Sequence, residues 1–251
     1  MSLIKRILPS AAKDAAKRVC NGILKPIGWK LARENSTVIE DDWYLSPVDG
    51  VASRHRPLSV DDQDFQQAVE HLAAREAFQR LDAVQRGEEV LYRLYLAGQL
   101  ARVADHRSGD YVEFGTYRGA TAFCMLHATR HSVDPKSIYL YDTFSGIPSQ
   151  GMSEHEKRVG LGGLHRDTSV QRVRETLTRF HDRVLFRPGL IPQTLDDTGP
   201  DQIAMMHVDL NLASPTLDAL RWACPRWSPG GICLLDDYLW QGFEDQRRLV
   251  D

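Results

Sequence analysis

The sequence predicts an α/β fold: a doubly wound, mostly parallel sheet behind an N-terminal helical extension. Three observations carry this. From Asp110 onward, short apolar runs alternate with helical patterns, the signature of a parallel sheet covered on both faces. A glycine-bearing turn leads from the first run into a helix. Later runs end in aspartates, at the strand ends where such folds hold their ligands.

The elements follow in order. Residues 2 to about 33 read as one or two basic amphipathic helical pieces, with Ile4, Ile7, Leu8, Ala11 and Ala15 on one face and Pro9 and Pro26 as interruptions. Residues 35–60 contain Pro47, Gly50 and Pro57 and read as loop, so 1–60 forms an extension and 61–251 the main domain. Ser59, Asp61, Asp62 and Asp64 open a helix that runs to about Gln85, because acidic groups suit a helix N-terminus. A second helix spans Glu88 to about His106, with Leu91, Leu94, Tyr95 and Leu100 apolar. Strands are expected at Tyr111–Phe114, Ser137–Tyr141, Arg183–Phe186, Ile203–Val208 and Gly231–Leu235. The intervening helices are Ala120–His131, Ser169–His181 and Ser214–Pro225.

Bulk properties narrow the function. Hydrophobic residues make up 42% and charged residues 26%, enough apolar material for a core. A net charge of -3 argues against a general nucleic-acid binder, which needs a basic face. The charge is uneven: residues 1–34 carry eight basic side chains against Asp14 and Glu34, a local +6 that leaves -9 for the rest. This segment has three open readings: peripheral contact with an anionic membrane surface, an arm on another subunit of a homo-oligomer, or a helix docked on its own domain. Cys20, Cys124, Cys224 and Cys233 are scattered and form no C-x-x-C pair, which fits a reducing cytoplasm. Charges interrupt any leader-like apolar stretch, and no run reaches the ~18 apolar residues of a membrane span.

The strand ends hold the chemistry. In "YVEFGTYRGAT", Glu113, Gly115 and Gly119 form an E-x-G-x-x-x-G turn, which differs from the nicotinamide G-x-G-x-x-G pattern. Asp142 ends the next strand in "IYLYDTFSGIP", where a carboxylate can accept from both hydroxyls of a ribose. Phe144 follows, suited to packing on a ligand ring. Asp209 ends the fourth strand; Asp236 and Asp237 end the fifth in "GGICLLDDY". Adjacent carboxylates repel, and three converging oxygen donors suit Mg²⁺. Zinc fits less well because no Cys/His triad converges here. A cap and a solvated acid remain the bland alternative for 236 and 237.

These motifs resemble class I S-adenosylmethionine-dependent methyltransferases, which are Rossmann-like, and more narrowly the macrocin O-methyltransferase family. "VEFGTYRGA", "YLYDTFSGIP", "RPGLIPQTL", "HVDLNLASPTLDAL" and "SPGGICLLDDY" stand in the family order across residues 110–240. The resemblance implies S-adenosylmethionine as methyl donor, a seven-stranded sheet, Mg²⁺ dependence and a sugar or similar small-molecule acceptor. It places Glu113, Gly115, Thr116 and Gly119 along the methionine portion, Asp142 at the ribose with Phe144 and Ser145 beside it, and Asp209, Asp236 and Asp237 on the metal. Asp236 or Asp237 is the expected proton acceptor, with His207 as an aid because it shares a strand face with Asp209. The polar, glycine-rich segment 151–169 sits where the family has a mobile lid; a plain loop is the other reading. Two departures stand out. Asn211 takes a place where the family often has an aspartate, and the chain stops at Asp251 with the last family strands apparently missing, which leaves a sheet edge open to pairing. A catalytically silent binding protein on the same scaffold is the rival reading. A nicotinamide-dependent dehydrogenase is disfavoured by the glycine spacing and by the lack of a Tyr-x-x-x-Lys pair.

Overall fold

The computed structural model describes residues 43–45, 52–54, 62–77, 84–238 and 243–251. The basic pieces expected at 2–33 lie outside the described residues. The chain divides into Met1–Leu58 and Ser59–Asp251. In the first part, β1 (Trp43–Leu45) pairs antiparallel with β2 (Ala52–Arg54), Trp43 opposite Arg54. This corrects the reading of 35–60 as loop throughout. Trp43 and Tyr44 favour extended backbone, and Pro47 and Gly50 fall between the strands, not in them.

In the second part, α1 (Gln63–Ala74) and α2 (Val84–Ala104) precede the sheet. Asp62 caps α1 by accepting from the Phe65 amide at 3.0 Å. The helix stops about eleven residues before the expected Gln85, although no glycine or proline breaks it. Tertiary contacts end it instead. Ala77 is buried and its amide folds back to the Leu72 carbonyl at 2.9 Å, while Arg118 Nη1 donates to the Glu76 carbonyl at 2.6 Å. Glu76 takes a left-handed φ of 49° to make that turn.

The sheet comprises β3 (Asp110–Phe114), β4 (Ile138–Asp142), β5 (Val184–Pro188), β6 (Ile203–Val208) and β7 (Trp227–Leu235). Its order is β5-β4-β3-β6-β7 and every pair is parallel. The helices around it are α3 (Ala120–Ala128), α4 (Glu154–Val159), α5 (Val170–Thr176), α6 (Ala213–Ala223) and α7 (Glu244–Val250). The five expected strands are all present. β7 begins four residues before the expected Gly231, and its register against β6 slips between Ile203 and Met205, where Gly230 sits at φ 76°.

Period-two alternation explains the two layers. Tyr111, Leu140 and Met205 point to a core shared with Phe123 and Leu126 of α3 and with Leu94 and Ala101 of α2. Their neighbours Val112, Tyr141 and Met206 point to the opposite core, under Ala219 and Ala223 of α6. Both sheet faces are therefore buried, which is why the strands read as continuous apolar runs. The order also places the carboxyl end of β3 between those of β4 and β6, where consecutive crossovers leave on opposite faces.

A buried histidine on α3 adds a pH dependence to this core. His127 stacks on Phe123, ring centroids 5.5 Å apart, and burial with nearby Arg130 and Arg179 holds its pKa down to about 4. Between that value and the ordinary 6.5 the unfolded chain binds the extra proton, so stability is full above 6.5 and falls as pH drops through the window. At pH 5 this group is expected to cost about 2 kcal/mol relative to pH 7.5. Urea melts of the His127→Leu protein at both pH values should lack that share of the difference; an undiminished difference would assign it elsewhere.

Candidate active site

A cavity of about 450 Å³ opens at the carboxyl ends of β3, β4, β6 and β7. Gly115, Thr116 and Asp142 line one part of its wall; His207, Asp209, Asp236 and Asp237 line another. Elementary topology brings them together, since β3 lies between β4 and β6, and β7 is next to β6.

The glycine turn is built around backbone crowding. Gly115 has φ 83°, and a Cβ there would lie 1.8 Å from the Asp209 carbonyl oxygen. The close approach is thus between the ends of β3 and β6, which also share the bond from the Asp209 amide to the Phe114 carbonyl at 2.8 Å. Asp142 reaches from the end of β4 to the same turn. Its Oδ2 accepts from the amides of Thr116 at 2.7 Å and Tyr117 at 2.9 Å, and its Oδ1 from the Phe144 amide at 2.6 Å. The two amide bonds fill both lone pairs of Oδ2, so the acceptor capacity left for a ligand is on Oδ1.

The structure does not bring Glu113, Gly119, Phe144 or Ser145 to the cavity wall. Glu113 is fully buried, and its Oε1 is 3.1 Å from His207 Nδ1, the residue directly beside it in the β3–β6 ladder. Burial pushes the Glu113 carboxyl up; burial also disfavours the His207 charge, but the bond to Glu113 together with the charges of Glu113, Asp236 and Asp209 holds the His207 pKa above its ordinary value. Gly119 starts α3 at φ 83°, and a Cβ there would press on Val173 at 3.1 Å, so it serves helix packing. Phe144 is buried in the core 5.7 Å from the Phe186 ring, and Ser145 is exposed. In each case the motif spacing located the turn but not the direction of the side chain.

The three aspartates do converge. One carboxylate oxygen from each of Asp209, Asp236 and Asp237 lies within 4.8 Å of the others. Asp237 is buried, and burial followed by the charge of Asp236 pushes its pKa up to about 6. Burial, then Asp236 and Asp237, raises Asp209 well above the usual carboxylate range. Repulsion among the acids thus adds to burial at both groups.

Three residues moderate it. Asn211, in a left-handed turn at φ 59°, bridges two of the acids: Nδ2 donates to Asp209 Oδ1 at 2.6 Å and to Asp237 Oδ2 at 3.1 Å, and its amide donates to Asp237 Oδ2 at 3.0 Å. Gln246 of α7 adds a third donor to that oxygen at 3.1 Å. Arg93 of α2 pairs with Asp236. Burial disfavours the Arg93 charge, but Asp236, Asp209 and Asp237 outweigh it and hold the guanidinium pKa above its ordinary value. Sequence reasoning noted Asn211 only as a departure and missed Arg93 and Gln246. Nothing in the pattern Leu91–Tyr95 marks one arginine as reaching residue 236.

Segment 151–169 is not a bare loop. It contains α4, closed at its N-terminus by a reciprocal Ser153–Glu156 capping box. Glu156 is buried and its Oε1 accepts from the Ala213 amide at 2.7 Å, docking the segment on the start of α6. Further on, His165 lines the cavity with its ring centroid 4.8 Å from that of Tyr117, whose hydroxyl donates to Asp167 at 2.8 Å. His155 pairs with Glu244 at 3.2 Å.

Comparison with known proteins agrees with this geometry. The 8-demethyl-8-(2,3-dimethoxy-alpha-L-rhamnosyl)-tetracenomycin-C 4'-O-methyltransferase of Streptomyces olivaceus is 32% identical over 145 residues, 54% of this chain and 55% of that protein. The demethyldecarbamoylnovobiocin O-methyltransferase of Streptomyces niveus is 31% identical over 146 residues, 55% of each. The chain thus spans about half the length of the curated relatives it matches. Among solved structures, the O-methyltransferase NovP superposes with a TM-score of 0.58 at 26% identity, over 64% of this chain and 70% of that one. The calicheamicin methyltransferase CalS11 superposes with a TM-score of 0.56 over 78% of this chain and 84% of that one; at 16% identity it shows the shared fold alone. Residues 87–249 match the family model for Macrocin-O-methyltransferase (TylF), which covers more than half of the chain. Sheet order, converging strand ends and this match agree: the chain belongs to the macrocin O-methyltransferase family.

Proposed function

We propose that this protein transfers a methyl group from S-adenosylmethionine to a hydroxyl of a sugar or similar natural product, with Mg²⁺ held by Asp209, Asp236 and Asp237. The observation that carries the reading is one cavity with two differently built walls. One is the turn oriented by Asp142; the other is the three-acid cluster. The names of the relatives supply the reaction class and the type of acceptor.

The residues fit both groups. Asp142 stands at a strand end, fixed by three backbone amides and with acceptor capacity left on Oδ1 for a ribose hydroxyl. The acid cluster offers three hard oxygen donors within 4.8 Å of one another, a set that suits a divalent cation. When bound, a divalent cation supplies charge that lowers the pKa of an alcohol and fixes its position.

The chain's own residues then have distinct tasks. Asp142 and the Gly115 turn would hold the nucleoside of the donor at one wall, and the acid cluster would hold the acceptor hydroxyl at the other. In transfer, the carbon–sulfur bond breaks as the carbon–oxygen bond forms, and the alcohol proton goes to a carboxylate. We assign that proton to Asp237 Oδ1. Asn211 and Gln246 load Oδ2 with three donors, which leaves Oδ1 as the accepting oxygen of Asp237. The Glu113–His207 pair positions the floor of the site beneath Asp209. The silent-scaffold reading is not favoured, because Asn211 ties the acids together rather than dispersing them.

Calorimetric titration tests the donor site. S-adenosylmethionine is expected to bind, and Asp142→Asn to weaken it about tenfold or more through lost charge-assisted bonds. No binding to the unaltered protein, or equal binding to the variant, would contradict the assignment.

A further inference from the structure

Arg93 has no task in methyl transfer as set out above, yet it engages one of the three acids. It belongs to α2, outside the strand ends, and extends to Asp236 Oδ2 on the cavity wall. The two partners differ in access to water. The Arg93 side chain is 42% exposed, whereas that of Asp236 is 8% exposed. The arginine can therefore swing into solvent, while the acid has to stay. With Arg93 in place, three carboxylates and one guanidinium leave a formal excess of two negative charges. A divalent ion held by the cluster would lie against Asp236, the same carboxylate that the guanidinium engages, and two cations on one carboxylate repel.

We propose that Arg93 is an internal counter-cation that holds Asp236 until a divalent ion arrives and then releases it. Loading of the acid cluster is thus an exchange of cations rather than simple addition. The inference rests on the metal reading given under Proposed function. Its consequences are a built-in reduction of ion affinity and a coupling between ion occupancy and the position of the Arg93 side chain.

Mn²⁺ is a suitable probe, because free Mn²⁺ is counted directly by electron paramagnetic resonance. The full chain, Arg93→Gln, Arg93→Lys and Asp209→Asn are compared. Arg93→Gln is expected to bind Mn²⁺ about tenfold more tightly or better, since a close like charge is removed. Arg93→Lys, which keeps the charge, should stay near the unaltered protein, and Asp209→Asn should lose binding. Unchanged or weaker binding by Arg93→Gln, with Asp209→Asn deficient, overturns the exchange and leaves the metal reading standing. No binding by either the unaltered protein or Arg93→Gln overturns both. A second measurement needs no variant: proton exchange at the Arg93 guanidinium, followed by NMR, should accelerate when Mg²⁺ is added. Unchanged exchange in ion-loaded protein overturns the proposal.

Discussion

Asp209→Asn is expected to lower methyl transfer by about a hundredfold or more while making the ion-free protein more stable. The two effects share one cause. Asp209 stands among three acids whose oxygens lie within 4.8 Å, and burial and its two neighbours push its pKa up. Neutralising it relieves that repulsion, and an asparagine oxygen can still accept the Asn211 bond. Stability in chelator should therefore rise. The same change removes one charged donor from the proposed ion site, and losses of a metal-supported electrostatic effect run to about 10²–10³ in rate. A purely structural aspartate would differ in the sign of the stability change, with both stability and rate falling. Chemical denaturation in chelator, paired with turnover in excess Mg²⁺, separates the two.

Gly115→Ala carries the largest expected effect on the fold. The new Cβ would sit 1.8 Å from the Asp209 carbonyl oxygen, and the backbone there is left-handed at φ 83°. Neither partner can yield easily: the Gly115 amide is bonded to the Tyr141 carbonyl at 2.9 Å, and Asp209 to Phe114 at 2.8 Å. Relief requires prising β3 from β6 at the strand ends that carry the site. The loss should exceed about 3 kcal/mol, well above the typical single substitution. Gly160→Ala is the internal control. It has φ 76°, but nothing lies within 4 Å of its added Cβ, so it should cost only about 1 kcal/mol for the left-handed backbone. Equal losses at the two positions in urea melts would show that conformational preference, not crowding against Asp209, sets the requirement at Gly115.

The contrast between these residues shows what the sequence could and could not reveal. Backbone-level features were legible. The strands were continuous apolar runs because α3 and α6 bury both faces of the sheet. The three aspartates could be expected to meet because strand ends of adjacent parallel strands lie together. Side-chain direction was less legible. Glu113 falls within a ligand-turn motif, yet strand alternation turns it inward to His207. Its partner could be recognised only once β3 and β6 were known to be neighbours, since Glu113 and His207 are 94 residues apart. Arg93 is farther still from its acid, 143 residues away, and local periodicity holds no trace of that contact. The early end of α1 has the same origin. Arg118 and the buried Ala77 fix it from outside the helix, where propensity has no say.

Asn211 shows the opposite case, a residue visible as an oddity whose effect needed coordinates. As an acid it would have added a fourth negative charge. As an amide it donates to two of the three carboxylates and holds them close without neutralising them. The cluster is thereby preorganised yet remains short of positive charge.

The central claim is that these acids hold a divalent ion beside a methyl donor. Transfer of isotopically labelled methyl from S-adenosylmethionine to a panel of glycosides, measured by mass spectrometry with excess Mg²⁺ and again with excess chelator, tests it most directly. The expected result is a singly methylated glycoside with Mg²⁺ and none with chelator. Equal methylation in the two conditions would contradict it.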